Sequence, residues 1–240
     1  MPTVRPAAPD DLRATSRLHR QLLPDGFFAR LGRGFLCSYH RTFARSPHAV
    51  AFVTGPAGDA DGFLVGTLSN RQHYRFVVRC CGVRLAARGL LALAARPRLA
   101  WTFLRTRAGR YLRWALRYPL RPARRPSTAE DLTAPAAETR PDPAGEDAPA
   151  EPAAAPVAVL THVAVGTRAQ GNGTGRALVE AFVAAAREAG VTEARLVTDA
   201  GGPAEAFYRR LGWTPGQVRH GSGGSLVREF RLSLHENAPS

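Results

Sequence analysis

Between Val157 and Val179 the chain passes from an apolar, β-branched run, through a glycine-rich stretch, to a helical pattern. This order constrains the fold more than any other feature. Val157, Val159, Val163 and Val165 mark a strand that breaks at Gly166-Thr167. Gln170-Gly171-Asn172-Gly173-Thr174-Gly175 then opens a helix whose apolar residues, Leu178, Val179, Phe182 and Val183, recur at helical spacing. Such a turn makes an anion site. Glycines let the main chain approach a phosphate closely, several N–H groups point one way, and the helix dipole adds partial positive charge. The expected ligand therefore carries a pyrophosphate.

Spacing narrows the ligand. A dinucleotide fingerprint needs G-x-G-x-x-G/A, but Gly171-x-Gly173 meets Arg176 at the third site and Gly173-x-Gly175 meets Leu178. A loop of the form G-x-x-x-x-G-K-[ST] is excluded because the chain contains no lysine. The pattern that fits is Q/R-x-x-G-x-G/A, carried by Gln170, Gly173 and Gly175 behind the strand end Val163-Ala164-Val165. This segment closely resembles the coenzyme A-binding motif of the GCN5-related N-acetyltransferases (GNAT). A second segment follows. Ala204 to Trp213, reading AEAFYRRLGW, is similar to the family's A-x-x-x-Y-x-x-x-G-F, with Trp213 in place of the final Phe. Where the family often has Asn seven residues before the tyrosine, this chain has Gly201. On their own, the first segment also reads as a ligand-free αβ turn and Tyr208 as a core residue.

The resemblance implies an α/β fold of the GNAT type. That is a mixed, mostly antiparallel sheet with one splayed parallel strand pair and flanking helices, here with an added helical insertion. The N-terminal half of that domain would be residues 1–69 and the acetyl-CoA-binding half 157–235. Between them, residues 70–121 form an arginine-rich helical insertion and residues 122–156 a disordered linker. The linker holds eight of the nineteen prolines, too few apolar groups to offset its ordering entropy.

Local patterns fill in the elements. Thr3–Pro6 reads as a strand, and Asp10 or Asp11 caps a helix to about Leu23. A single helix over about Phe27–Phe43 carries Phe28, Leu31, Phe35, Tyr39 and Phe43 on one stripe. Strands at Ala49–Thr54 and Gly62–Ser69 form a hairpin. Pro97 and Gly109 divide the insertion into two or three helices. After the cofactor helix come a strand at Ala194–Thr198, a helix at Pro203–Leu211, and strands near Gln217–His220 and Leu226–Leu234 around a Gly221–Gly224 turn.

Charge is distributed unevenly. The net charge is +14, yet no acidic residue occurs from Gly62 to Ala129, while Arg71–Arg125 holds 15 arginines. Such asymmetry speaks of partners, not of fold. Three cysteines, Cys37, Cys80 and Cys81, provide no disulfide framework. The N-terminus lacks a secretion signal, and no apolar run approaches the roughly 20 residues of a membrane span. A cytoplasmic location is expected.

The resemblance implies direct attack by an amine on acetyl-CoA, a co-substrate. It assigns pyrophosphate binding to the main chain of Gly171, Gly173, Thr174 and Gly175, within the motif Gln170–Arg176 that includes Asn172. Val163 and Val165 would pair with the pantetheine amides like an added strand. An N–H of Ala164 or Val165 would polarise the thioester carbonyl. Arg168 or Arg176 would add charge at a phosphate, and Gly201 and Phe207 complete the cofactor contacts. Tyr208 is the candidate acid. His162, whose ordinary pKa of about 6.5 suits a base, is the candidate base, with Asp199 or a water chain as competitors. Arg33, His40 and His220 are acceptor-pocket guesses. No metal is expected. The partner is a small-molecule amine, with a homodimer left open and no specific nucleic acid. Alternatives are acetylation of a protein or peptide, or a CoA-binding platform whose basic insertion contacts an anionic membrane surface or nucleic acid.

Overall fold

A computed structural model of the protein describes residues 2–103, 157–221 and 225–234. The linker, the insertion beyond Phe103 and most of the Gly221–Gly224 turn lie outside the described residues. The elements are β1 (Val4–Pro6), α1 (Asp11–Leu22), α2 (Phe27–Arg30), α3 (Arg33–Arg45), β2 (Ala49–Thr54), β3 (Gly62–Thr67), α4 (Asn70–Ala94) and α5 (Pro97–Phe103). After the break come β4 (Val157–Val165), α6 (Thr174–Glu188), β5 (Glu193–Asp199), α7 (Pro203–Arg210), β6 (Thr214–His220) and β7 (Leu226–Ser233).

The strands form one seven-stranded sheet in the order β1-β2-β3-β4-β5-β7-β6. Every neighbouring pair is antiparallel except β4 and β5. That parallel pair is joined only at Val157, Ala158 and Val159, opposite Glu193, Ala194 and Arg195. Beyond this point β4 runs on to Val165 and β5 to Asp199 without pairing, so the sheet opens into a wedge. This is the mixed sheet with a splayed pair that the resemblance implies.

Two apolar clusters hold the layers together. On one, Leu178, Val179, Phe182 and Ala186 of α6 bury against Ala158, Leu160, Leu196 and Phe230. On the other, Ala14 of α1 and Phe43 of α3 bury against Val53, Phe63, Val65 and Ala164. β4 serves both clusters because it changes phase. Val65 faces His162 but Gly66 faces Leu160, so Thr161 is an extra residue, a β-bulge. Ala158 and Leu160 thus point to the α6 side, whereas Ala164 points to the α1–α3 side. Gly66 is part of the same fit. A Cβ there would sit 2.6 Å from Phe182 Cε2, so only glycine lets that ring close over the bulge.

Several boundaries differ from the sequence reading. The long helix over Phe27–Phe43 is two helices, because Gly32 at φ 95° turns the chain between α2 and α3. β6 starts at Thr214, three residues early, since an irregular register between Pro215 and Val218 lets the pairing resume across a proline. Asp10 and Asp11 do not cap α1 in the expected way, as no side-chain cap bond forms. Instead the buried Asp11 carboxylate accepts two hydrogen bonds from Arg5, at 2.6 and 2.8 Å, and the N–H groups of Ala8 and Gly58. One side chain therefore joins β1, α1 and the β2–β3 loop. Its bonds, that of Arg5 first, lower its pKa to about 2.

Candidate active site

The open end of the wedge is closed by the Gly166–Gly173 turn and the first turn of α6. Gly171 and Gly173 stand at φ 79° and 77°, a left-handed conformation that other residues adopt only with strain. A Cβ at either would meet nothing within 4 Å, so both backbones face open space. Gly173 precedes α6, whose Thr174, Gly175 and Arg176 N–H groups belong to a first turn that has no intrahelical acceptors. Behind them, a Cβ on Gly175 would lie 3.5 Å from Phe207 and 3.7 Å from Val165. The ends of β4, α6 and α7 therefore meet here. A hollow lined by Asp61, Arg168, Ala169, Asn172 and Thr174 adjoins the turn. Main-chain N–H groups, a helix N-terminus and Arg168 are brought together here, with the Asp61 carboxylate on the same hollow.

The two candidate arginines separate. Arg168 lines this hollow and its neighbour beside Gln21, Leu22 and Asp61. Arg176 binds Glu180 one turn along α6, Nε to Oε1 at 2.7 Å, a pair exposed to solvent. Arg168 is thus the placed cation. Gln170 also has another task than the expected ligand contact. Its side-chain amide donates to the Val165 carbonyl at 2.9 Å and clamps the loop to the strand end. Gly201, a presumed cofactor contact, spends its N–H on Glu205, at 3.0 Å. Glu205 also takes Arg228 Nε at 2.8 Å, and these bonds, Gly201 first, lower its pKa. Sequence reading missed Glu205, although an acid in the first turn of a helix is itself a signal.

Along β4 the main chain is polarised by alternation. The Ala164 carbonyl oxygen lies 3.3 Å from the Cβ position of Gly62 and so faces β3. A residue's N–H and C=O share one edge of a strand, so Val163 and Val165 turn theirs to the opposite edge, toward the wedge. The Val165 carbonyl accepting Gln170 agrees with this. Ala164, offered as a carbonyl polariser, is therefore turned away, whereas Val165, the other candidate, faces the wedge.

Tyr208 is buried among Phe207, Trp213 and Phe230, with ring centroids 5.1–6.0 Å apart. Loss of solvation pushes its pKa up to about 12. The hydroxyl stays protonated at every working pH and is available as a donor.

His162 lies in surroundings that sequence did not foresee. Its ring packs edge-on to His19, 4.6 Å between centroids, and its Nε2 is 3.3 Å from the Tyr39 hydroxyl. His19 and His40 are buried, His19 Nδ1 lying 2.9 Å from His40 Nε2 and His40 Nδ1 2.9 Å from Thr15 Oγ1. The Thr15 hydroxyl donates to the Leu12 carbonyl at 3.3 Å. It therefore accepts from His40 Nδ1–H, which makes His40 Nε2 the acceptor for His19 Nδ1–H. Desolvation first, and neighbouring imidazoles second, hold all three rings in their neutral form: His162 falls to about 3, His19 to about 4 through burial alone, and His40 well below its ordinary value. The ordinary pKa that recommended His162 as a general base is lost. His40 belongs to this network rather than to an acceptor surface, while Arg33 and His220 are exposed. Asp199 ends β5, and its carbonyl accepts Gly202 N–H at 3.3 Å. Among the described residues no cluster has the makings of a metal site.

A mixed sheet parted at one parallel pair, with glycines at the parting, is the fold of the GNAT acetyltransferases. Residues 137–213 match the model of the Acetyltransferase (GNAT) family. No curated protein sequence matches the chain. Among solved structures, SsHAT is similar at 25% identity and TM-score 0.55, with 98% of this chain and 99% of that one covered. Ard1 from Thermoplasma volcanium is similar at 16% identity and TM-score 0.52, with 98% of both chains covered. A ribosomal-protein-alanine N-acetyltransferase from Brucella melitensis is similar at 12% and 0.51, with 96% and 99% covered. The chain is thus similar to the GNAT acetyltransferases, in sequence over residues 137–213 and in fold over nearly its whole length.

Proposed function

We propose that the protein transfers the acetyl group of acetyl-CoA to a primary amine of a small molecule, by direct attack within a ternary complex. The observation that carries this reading is the wedge between β4 and β5, open beyond Val159 and ending in the cradle of Gly171, Gly173, Thr174 and Gly175. The pyrophosphate is held by those N–H groups with Arg168 beside them. The pantetheine arm pairs with the wedge-facing edge of Val163 and Val165, and Phe207 packs at the cradle's rim.

Fixing the thioester makes attack by a bound amine effectively intramolecular. The nitrogen lone pair adds to the carbonyl carbon, an N–C bond forms and the C–S bond breaks. The Val165 N–H, turned to the wedge, stabilises the oxygen where negative charge develops. The departing thiolate, whose conjugate acid has a pKa of about 8.5, takes a hydrogen bond from Tyr208. Tyr208, at about 12, remains the weaker acid, so it keeps its proton and stabilises the thiolate as a hydrogen-bond donor, while the proton shed by the nitrogen after attack reaches the sulfur through water. The amine, with a pKa of about 10, loses its proton to water, because His162 is too weakly basic to keep it. His162 instead positions Tyr39 and the acceptor-side wall of β4.

The test is release of free thiol from acetyl-CoA against amino sugars, amino acids, polyamines and peptides. A small amine should support turnover, and Tyr208→Phe should lower kcat by about a hundredfold or more with KM for acetyl-CoA little changed. Turnover restricted to peptides would replace the small-molecule acceptor. A folded protein that binds CoA but releases no thiol with any amine would end the reading.

A further inference from the structure

α4 is apolar on two opposite faces. Cys81, Leu85 and Gly89 are half-buried on the α3 side, where the Cβ position of Gly89 lies 3.5 Å from the Phe35 ring. Across the helix, Val83, Leu90 and Leu91 are 69%, 66% and 72% exposed. With Ala87 and Ala94, also exposed, they recur three and four residues apart and make one continuous apolar stripe on the solvent side. A surface helix of a protein that lives wholly in water turns charged residues there. Here the charges border the stripe instead. Arg75 and Arg79 lie along one margin and Arg84 along the other, all three exposed. No acidic residue interrupts this field anywhere from Gly62 to Ala129. Trp101 of the next helix, α5, is also 62% exposed.

Charge complementarity selects an anionic partner, and the aliphatic stripe selects among anionic partners. Single-stranded nucleic acid is gripped by stacked aromatic rings, whereas Val, Leu and Ala between arginine margins match an acyl boundary beneath phosphate headgroups. An exposed indole on the adjoining helix suits the same boundary. Among the described residues no helix is long and apolar enough to cross a membrane, so the contact is one of lying on the surface. We propose that α4 and α5 dock the enzyme onto an anionic lipid surface, with the stripe of Val83, Leu90 and Leu91 in the acyl boundary and Arg75, Arg79 and Arg84 at the phosphates.

The experiment is co-sedimentation of the full chain with vesicles of phosphatidylcholine alone or mixed with phosphatidylglycerol. Binding should require the anionic lipid and weaken with salt. Each Arg→Gln change at Arg75, Arg79 or Arg84 should reduce partitioning about fivefold, and the triple variant about a hundredfold. Leu90→Ser with Leu91→Ser should remove binding while leaving the melting temperature and its increase by CoA unchanged, since both side chains are exposed. Equal binding to neutral vesicles, or no binding to either, would overturn the proposal. So would tighter retention on single-stranded DNA than on anionic vesicles at the same salt. A dimer that the serine variant dissociates, without any vesicle binding, would assign the stripe to a second copy instead.

Discussion

Acidification from about pH 7.5 to about pH 5.5 should remove a large part of this protein's stability through its buried histidines. His19, His40 and His162 form the cluster between α1, α3 and β4, and His73 is buried under Phe43. Burial lowers His19 and His73 to about 4 and His162 to about 3, and lowers His40 well below its ordinary value. In the unfolded chain each binds a proton near pH 6.5, whereas in the folded chain each stays neutral. The unfolded state therefore holds more protons between those values, and stability falls as pH falls through 6.5. About one unit below the unfolded pKa, each such group costs about 1.4 kcal/mol, whatever its folded value, provided that value lies lower still. Four groups together cost about 5 kcal/mol, the scale of a whole domain's stability. The assay is urea denaturation at the two pH values, with CoA absent. The midpoint should move to much lower urea at the acid pH. A change under about 1 kcal/mol, or titration of the His19, His40, His73 and His162 imidazole NMR signals near pH 6.5 in the folded protein, would refute the reasoning.

Three further outcomes are expected. Asp11→Asn removes the carboxylate that Arg5, Ala8 and Gly58 share. Its lowered pKa of about 2 corresponds to about 2 kcal/mol that is present above the unfolded value and lost as pH falls through the folded one. Denaturation at neutral pH should show the loss, and at about pH 2 the variant and wild type should converge. Gly66→Ala drives a methyl into Phe182 at 2.6 Å, beside β4 backbone that cannot yield, and should cost about 1–3 kcal/mol in a thermal melt. Gly173→Asp places a carboxylate at a φ of 77° on the rim of the cradle. The fold should lose about 1–2 kcal/mol while the rise in melting temperature produced by CoA disappears; an unchanged rise would mean that the phosphates lie elsewhere.

Much of the C-terminal half was legible in the chain because its signals are local. The glycines at Gly171 and Gly173 report a backbone conformation that a sequence of any other residues would resist. The β-branched run before them and the helical period after them set strand and helix independently of the rest. Gly32 shows where local reading stops. An amphipathic stripe continued across it, and only the packing of α2 and α3 revealed that it breaks the helix. The bulge at Thr161 left no mark in the residues at all, since β4 is apolar on both sides of it. Yet it decides which face His162 and Ala164 take.

Periodicity and turn chemistry in the sequence alone determined that a strand, a glycine-rich turn and a helix stand in line near residue 170, because each depends on neighbours a few positions apart. Where that turn's arginines go, what Gln170 and Gly201 bind, and how basic His162 is depend on groups brought from tens or hundreds of residues away. Tyr39 meets His162 across 123 positions, and Glu205 meets Arg228 across 23. Solvation and hydrogen bonding act through space, so the chemistry of the site was decided only when the sheet had assembled.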